Sequence, residues 1–145
     1  MVTSSDVAAV REFLSAMDLT LSGLDSPTVR LWMHRDGDGR IIGTTGYELS
    51  TDRRNALIRS VAIDPSLRKT GAGSELALFA LDEASREGAS TAWLFSRRSG
   101  PFWQKLGFAP ADRHELAAVL SETHQVRLFD ETGQLERETA WSRPL

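Results

Sequence analysis

The chain has 145 residues, of which 41% are hydrophobic and 26% charged, a length and composition typical of one folded domain with a hydrophobic core. Its 17 Lys and Arg residues against 20 Asp and Glu residues argue against a general nucleic-acid-binding protein, which normally carries a basic excess. The absence of cysteine excludes disulfides, thiolate nucleophiles and cysteine-based metal sites.

The sequence also argues against a metal site, a signal peptide and a membrane span. The three His residues lack metal-ligand spacing, so no metal site is predicted. The first residues lack the charged start and apolar run of a signal peptide, and no window approaches the ~20 apolar residues of a membrane span. We therefore expect a cytoplasmic protein, monomeric or homodimeric, with no membrane or nucleic-acid partner.

The first half of the chain predicts one helix and three strands. After a Ser5-Asp6 N-cap, apolar residues recur at helical spacing, namely Val7, Val10, Phe13, Leu14 and Met17. Two β-rich runs within 28–50 flank Asp36-Gly37-Asp38-Gly39, a hairpin signal because such turns need residues that tolerate positive φ. The run 55–64 predicts a third strand, antiparallel to the second.

The second half alternates helices and strands. Helical spacing begins at Gly71 and ends near Gly88, with Leu76, Phe79, Ala80 and Glu83 one turn apart. A strand (90–96), a short helix (100–107), an extended segment (108–113) and a helix (113–123) follow. Residues 124–145 predict a β-type tail with a turn at 131–133. The strand–helix–strand order implies that one pair of strands is parallel in an otherwise antiparallel sheet. We therefore expect an α/β (α+β) fold with residues 1–145 as one domain.

A glycine-containing segment, 68–74, stands where the long helix begins. The first four amides of a helix have no intrahelical partner and carry the positive end of its dipole. Gly71 and Gly73 would let an anion approach the main chain, while Arg68 and Lys69 add charge and Ser74 a hydroxyl. The segment therefore predicts a phosphate-binding site. The alternative is that the glycines only turn the chain from strand to helix.

Two motifs together resemble the GNAT family of N-acetyltransferases: R-x-x-G-x-G at 68–73 after "SVAIDP", and "FWQKLGF" at 102–108. The resemblance implies a mixed, mostly antiparallel sheet with one splayed parallel strand pair flanked by helices. A helix before the last strand is similar, more narrowly, to the arsenic-resistance-associated N-acetyltransferases.

The resemblance also implies acetyl-coenzyme A as the cofactor and indicates where it binds. Strand 60–63 would part from strand 91–96 and admit the pantetheine arm. An amide at the end of strand 60–63 would polarise the thioester carbonyl. The implied cofactor-binding residues are Val61, Ala62, Ile63, Arg68, Lys69, Thr70, Gly71, Ala72, Gly73 and Ser74. Arg97 and Arg98 are further candidates for phosphate contacts, unless they are simply solvated.

The candidate catalytic and substrate residues are fewer. Glu48, near the end of the second strand, is the candidate base; the alternative is a solvated carboxylate. Arg59 lies among apolar residues and either binds a substrate carboxylate or pairs with an acid such as Glu48. Trp103 is predicted to line the acceptor site, with core packing as the alternative. It stands where many relatives carry a proton-donating Tyr, and the chain's single Tyr is Tyr47.

The function that follows is an N-acetyltransferase. It would transfer an acetyl group from acetyl-coenzyme A to the amine of a small molecule, an amino acid or an amino-acid-like toxin, by direct attack. That route needs no covalent enzyme intermediate, in agreement with the absence of cysteine. The alternative is a coenzyme A-binding sensor or regulatory module with weak catalysis, and a different acyl group is a third hypothesis.

Overall fold

A six-stranded mixed sheet forms the centre of the computed structural model, which describes residues 1–68 and 70–145. The strands are β1 (Val29–Arg35), β2 (Ile41–Leu49), β3 (Asn55–Ile63), β4 (Thr91–Phe95), β5 (Ala109–Ala111) and β6 (Ala140–Pro144). Their order across the sheet is β1-β2-β3-β4-β6-β5. β3 and β4 are parallel and every other neighbouring pair is antiparallel. The predicted fold class is confirmed.

Helices cover both faces of this sheet. They are α1 (Val7–Ala16), α2 (Ala72–Arg86), α3 (Gly100–Lys105), α4 (Arg113–Val119) and α5 (His124–Thr132), with 3-10 turns at Ser4–Asp6, Pro65–Leu67 and Gln134–Arg137. Side chains alternate between the two faces along a strand. Accordingly, Ile58 of β3 packs in the cluster that holds α2 and α3, whereas Leu57 packs against α4 and α5. None of the helices within the described ranges is long and apolar enough to cross a membrane.

The hairpin between β1 and β2 forms where the Asp-Gly signal predicted it. The Asp36 side chain accepts hydrogen bonds from the backbone N–H groups of Asp38 and Arg40, at 2.9 and 3.0 Å. Gly39 adopts φ +81°, which a residue with a Cβ rarely does. The local chemistry of this turn thus specifies the pairing of the two strands.

The buried face of α2 consists mainly of small residues. Its buried residues are Ala77, Ala80, Leu81 and Ala84, whereas Phe79 is 42% exposed. The Phe79 ring lies edge-on to Trp32 of β1, with the ring centroids 5.2 Å apart. The alanines let the helix lie close to the sheet, so the small residues rather than the largest ones define the buried side.

The predicted β-type tail is wrong over most of its length. Residues His124–Thr132 form α5, Gln134–Arg137 form a 3-10 turn, and only Ala140–Pro144 are a strand. Thr123 caps α5 by accepting from the backbone N–H of Val126, and Gly133 ends the helix at φ +75°. Gln125, Val126 and Phe129 are buried on one side of it. These start and stop signals are present in the sequence and outweigh the β propensity of the segment.

Candidate functional site

A cleft opens where β3 and β4 part. The two strands pair only from Asn55–Thr91 to Leu57–Trp93, although β3 continues to Ile63 and β4 to Phe95. The diverging ends leave a cleft of about 840 Å³. Beyond Leu57, the edge of β3 that faces β4 has no partner strand among the residues that the structure describes. An extended ligand arm can therefore add to this edge as a strand does.

A β-bulge shapes the β3 side of the cleft. Thr44 of β2 pairs with Ala62 and Gly46 pairs with Arg59, so β3 carries one extra residue between these pairs. Ser60, in the bulge, has φ +61°, and its carbonyl accepts a 2.6 Å hydrogen bond from the Thr44 hydroxyl. A non-glycine residue at such a φ costs free energy, and residues of this kind concentrate at functional sites. Val61, Ala62 and Ile63, which follow the bulge, line the cleft.

The N-terminus of α2 lines the other end of the cleft. Of the residues predicted to bind phosphate, Arg68, Gly71, Gly73 and Ser74 line the cleft. Thr70 and Ala72 lie beside them, and the Thr70 hydroxyl accepts from the Ala72 N–H at 3.3 Å. Lys69 lies outside the described residues. The site combines main-chain amides, a hydroxyl and an Arg side chain, which is the chemistry that binds a phosphate anion.

The structure accounts for Gly71 and Gly73 in different ways. Gly71 is the N-cap of α2 at φ +88°, so the turn itself requires a glycine there. Gly73 lies in the first turn of the helix, and the nearest neighbours of a Cβ built on it are Phe102 and Ile63, at 3.6 and 3.7 Å. These are ordinary contacts, and both neighbours line the cleft. The fold alone does not require a glycine at 73, which supports close approach of a ligand at this position.

Glu48 and Arg59 form a buried ion pair. Their side chains are 2% and 0% exposed, and Arg59 Nη1 lies 3.0 Å from Glu48 Oε2. The guanidinium also donates to the Ser60 hydroxyl and to the carbonyl of Thr20. Burial lowers the pKa of Arg59, and the Glu48 carboxylate opposes that change. The sequence left open whether Arg59 pairs with Glu48 or binds substrate, and the structure contains the pair.

The same carboxylate holds the N-terminus of α5. Glu48 Oε1 accepts from the His124 N–H at 2.6 Å, and Oε2 accepts from the Gln125 N–H at 3.2 Å. A negative charge at this helix end is stabilised by the dipole and by the unpaired amides. Neither Glu48 nor Arg59 is among the residues lining the cleft. Their pair instead joins β2, β3, the loop at Thr20 and α5, which surround it.

The aromatic residues of α3 occupy both core and cleft. Trp103 is 7% exposed and packs edge-on against Phe102 and Phe108, with ring centroids 4.9 and 5.3 Å apart. Trp103 and Phe102 also line the cleft. Tyr47 is not among the residues that line the cleft, and its hydroxyl donates to Glu87. Burial, together with the bond to Glu87, raises the pKa of Tyr47, so its phenol is a poor proton donor near neutral pH.

Several cleft residues were missed by the sequence reasoning, because the tail was expected to be a strand. Gln125, Phe129, Gln134 and Glu138 come from α5 and the segment after it, and all line the cleft. Arg97 and Arg98 also line it and form ion pairs with Glu138 (3.4 Å) and Asp18 (3.3 Å). Recognition of the Thr123 cap would have placed Gln125 and Phe129, four residues apart, on one helix face.

Comparison with known proteins gives a consistent result. A family model described as acetyltransferase (GNAT) family matches residues 7–108. No match was found among curated protein sequences.

Similar solved structures span almost the whole chain. N-acetylglutamate synthase from Neisseria gonorrhoeae, complexed with coenzyme A and N-acetyl-glutamate, is 19% identical with a TM-score of 0.72; the alignment covers 99% of this chain but only 34% of the synthase chain. Rv2747 from Mycobacterium tuberculosis, in complex with CoA and NLQ, is 16% identical with a TM-score of 0.75, over 99% of this chain and 96% of the other. Tetrahymena GCN5 is 9% identical with a TM-score of 0.70, over 97% and 86%. At these identities the likeness shows a shared fold.

Proposed function

Because this chain belongs to the GNAT acetyltransferase family, whose members are acetyl-coenzyme A-dependent acyltransferases, we propose that it acetylates the amine of a small molecule. The acceptor class we propose is an amino acid or an amino-acid-like toxin. The observation that carries the proposal is the cleft that runs from the parted ends of β3 and β4 to the N-terminus of α2. An unpaired strand edge and a helix N-terminus with the chemistry to bind phosphate line this one cleft.

Coenzyme A fits these two features in different ways. The amides at Gly71–Ser74, with Arg68, suit the pyrophosphate, and Lys69 and Thr70 belong to the same proposed site. Main-chain groups of Val61, Ala62 and Ile63 suit the amides of the pantetheine arm. Bound acetyl-coenzyme A would supply the thioester that is the acyl donor. The proposal extends to residues 1–145 acting as one acetyltransferase domain.

The chain's own groups would act mainly by orientation and electrostatics. We propose that an amide at the end of β3, beyond the bulge, donates to the thioester oxygen where negative charge develops. The cleft holds amine and thioester in register, so that the attack is effectively intramolecular. Among the described residues that line the cleft there is no Tyr, and the indole N–H of Trp103 is not an acid at neutral pH. Water is therefore the proposed proton donor to the departing thiolate.

Gly73→Glu tests the coenzyme site. A Cβ at this position points between Ile63 and Phe102 of the cleft, so the variant adds bulk and negative charge where the pyrophosphate would lie. We expect coenzyme A affinity, measured by isothermal titration calorimetry, to fall at least about 100-fold, since each charge-assisted bond contributes about 1.5–3 kcal/mol. The matched control is Gly37→Glu in the hairpin, where a Cβ meets nothing within 4 Å. Equal coenzyme A affinity of both variants would contradict the proposed position of the pyrophosphate at the N-terminus of α2.

Glu48 remains the proposed base from the sequence, and its role is open to a kinetic test. Its carboxylate is already held by Arg59 and two amides of α5, which favours an anchoring role. If Glu48 accepts the amine proton, Glu48→Gln should lower turnover most at low pH, where solvent does not deprotonate the amine. The measurement is the wild-type to variant ratio of kcat between about pH 6 and 9. A ratio that is flat across pH would leave only the anchoring role.

Trp103 favours a second candidate function, a coenzyme A-binding sensor or regulatory module, because it stands where many relatives have a proton-donating Tyr. Release of coenzyme A thiol from acetyl-coenzyme A in the presence of an amine panel separates the two functions. Tight binding without amine-dependent thiol release would favour the sensor. The same assay with propionyl- and succinyl-coenzyme A tests whether another acyl group is preferred.

The narrower likeness to the arsenic-resistance-associated N-acetyltransferases is also a proposal. It rests on the glycine motif, the "PFWQKLGF" element and the helices before the last strand. Expression of the chain in an arsenic-sensitive bacterium should raise tolerance to an amine-containing arsenical. Unchanged tolerance with an active enzyme would remove the subgroup assignment and leave the acetyltransferase proposal standing.

A further inference from the structure

The α5 side of the cleft is built differently from the coenzyme side. Gln125 and Phe129 share one face of α5, and the Phe129 ring lies edge-on to Phe95 at the end of β4, with centroids 5.1 Å apart. Glu138 is brought to the same end of β4, because Thr139 accepts from the Ser96 N–H and Ala140 pairs with Phe95. A polar side chain of α5 and one from the segment that precedes β6 therefore lie beside the last residues of β4.

Gln125 is an incompletely paired buried amide in this wall. The residue is 8% exposed, and its Nε2 donates to the Thr20 hydroxyl at 3.0 Å. Its Oε1 is buried and has no hydrogen-bond partner among the residues that the structure describes. A buried carbonyl oxygen without a donor is destabilising. Gln125 lines the cleft, so a rotation of its amide that brings Oε1 to the cleft surface would let a ligand N–H supply the missing donor.

Glu138 and Arg97 present both signs of charge on the same side. Glu138 is 6% exposed in its side chain, and Oε2 takes both the ion pair with Arg97 Nε (3.4 Å) and the hydrogen bond from Gln134 (2.7 Å). Within the described residues, these contacts engage Oε2 of Glu138 and Nε of Arg97, so Oε1 and the two terminal nitrogens are the atoms that would meet a ligand. A free carboxylate oxygen suits an ammonium group, and a guanidinium fork suits a carboxylate.

We propose that Gln125, Glu138 and Arg97 form the acceptor-binding subsite and that its ligand is a zwitterionic α-amino acid. Gln125 Oε1 and Glu138 Oε1 accept hydrogen bonds from the amino group, while Arg97 binds the carboxylate. The apolar surface of Phe95 and Phe129 packs against the ligand side chain. The subsite deepens the proposed acetyltransferase function and rests on it.

The wild-type test is a comparison of ligand forms. The common L-α-amino acids are assayed with acetyl-coenzyme A, each beside its methyl ester and its decarboxylated amine, and thiol release is followed. We expect kcat/KM for the best amino acid to exceed that of its ester and of its amine by at least about 10-fold. Equal values, or a preference for the amine, would overturn the proposal.

Variants then assign the roles. Arg97→Met should raise KM for the amino acid about 10-fold or more. The kcat/KM values of the amino acid and its methyl ester should then agree within about twofold. Gln125→Leu should raise KM for acid and ester alike, with KM for acetyl-coenzyme A changed less than twofold. The control is Gln104→Leu, the same substitution on the exposed side of α3, away from the cleft. Unchanged amino-acid KM in either subsite variant would overturn that residue's assignment, as would an equal rise in KM for acetyl-coenzyme A.

Calorimetric titration of the wild-type protein with coenzyme A separates the two levels of the proposal. Coenzyme A binding without amino-acid-dependent thiol release overturns the subsite alone. Absence of coenzyme A binding overturns the acetyltransferase function on which the subsite rests.

Discussion

At the scale of single residues, the most consequential interaction is the ion pair of Glu48 and Arg59. Both side chains are almost completely buried, so each charge depends on the other and on nearby main-chain groups for compensation. Removal of one partner leaves a buried charge that water cannot solvate. The pair also contacts Ser60 of the β-bulge and the first amides of α5. Its loss would therefore disturb the surroundings of the cleft as well as overall stability.

We expect Arg59→Met to lower the free energy of unfolding by about 3–5 kcal/mol, because Glu48 then stays buried without its counter-ion. The double variant Glu48→Gln with Arg59→Met should lose less than the sum of the two single losses, by at least about 1 kcal/mol. Urea denaturation of the four proteins measures this coupling. The comparison cycle is Arg98→Met with Asp18→Asn, a pair with side chains 75% and 79% exposed, for which the coupling should stay below about 1 kcal/mol. Similar coupling in both cycles would show that burial does not govern the Glu48–Arg59 pair.

At the scale of elements, α5 connects stability to the cleft. The helix has only nine residues, too few to be stable alone, so capping and tertiary packing must hold it. Thr123 accepts from Val126 and donates to the Leu120 carbonyl at 2.7 Å, which joins the end of α4 to the start of α5. Gln125 and Phe129 keep their places in the cleft only while this helix is formed.

Thr123→Ala should therefore lower the free energy of unfolding by about 1 kcal/mol, the usual cost of losing a Thr N-cap. Thr132→Ala is the matched control, since Thr132 is exposed at the other end of the same helix; its effect should stay within about 0.5 kcal/mol. Chemical denaturation monitored by circular dichroism compares the two. A larger effect at Thr132 would indicate that the C-terminal end is the critical one.

At the scale of the whole molecule, several carboxylates link stability to pH. Backbone N–H groups of His114 and Glu115 hold the pKa of Asp112 below its usual value, and the N–H of Ser66 does the same for Asp64. A carboxyl whose pKa is lower in the folded state stabilises the fold above the unfolded pKa, about 3.9. That stabilisation is lost as the pH falls from there through the folded pKa.

We accordingly expect the urea midpoint of the wild-type protein to fall between pH 7 and pH 3. In Asp112→Asn the fall should be smaller, because the amide still caps α4 but no longer takes up a proton. Asp38→Asn, at an exposed hairpin position, should follow the wild type. If the urea midpoint of Asp112→Asn falls as much as that of the wild type between pH 7 and pH 3, this carboxylate does not contribute to the loss of stability in acid.

What the sequence determined by itself was the local structure and the family. The Asp-Gly turn, the periodicity of the strands and of α2, and the glycine motif are local signals, and each reports on neighbours within about one turn or one hairpin. They were sufficient for the element order up to α4, for the parallel pairing of β3 and β4, and for the glycine-containing segment 68–74, part of which lines the cleft. The segment 124–139 was misread although its capping signals were present.

Only the tertiary structure decided which distant side chains meet. The sequence made Glu48 a candidate base or a solvated carboxylate, and it left open whether Arg59 binds a substrate carboxylate or pairs with Glu48. The register of β2 and β3 and the start of α5 enclose the two side chains together. Gln125 and Glu138 carried no motif, and they reach the cleft because α5 and β6 pack against the end of β4. Such contacts depend on the packing of side chains that are far apart in the sequence, and local periodicity does not predict them.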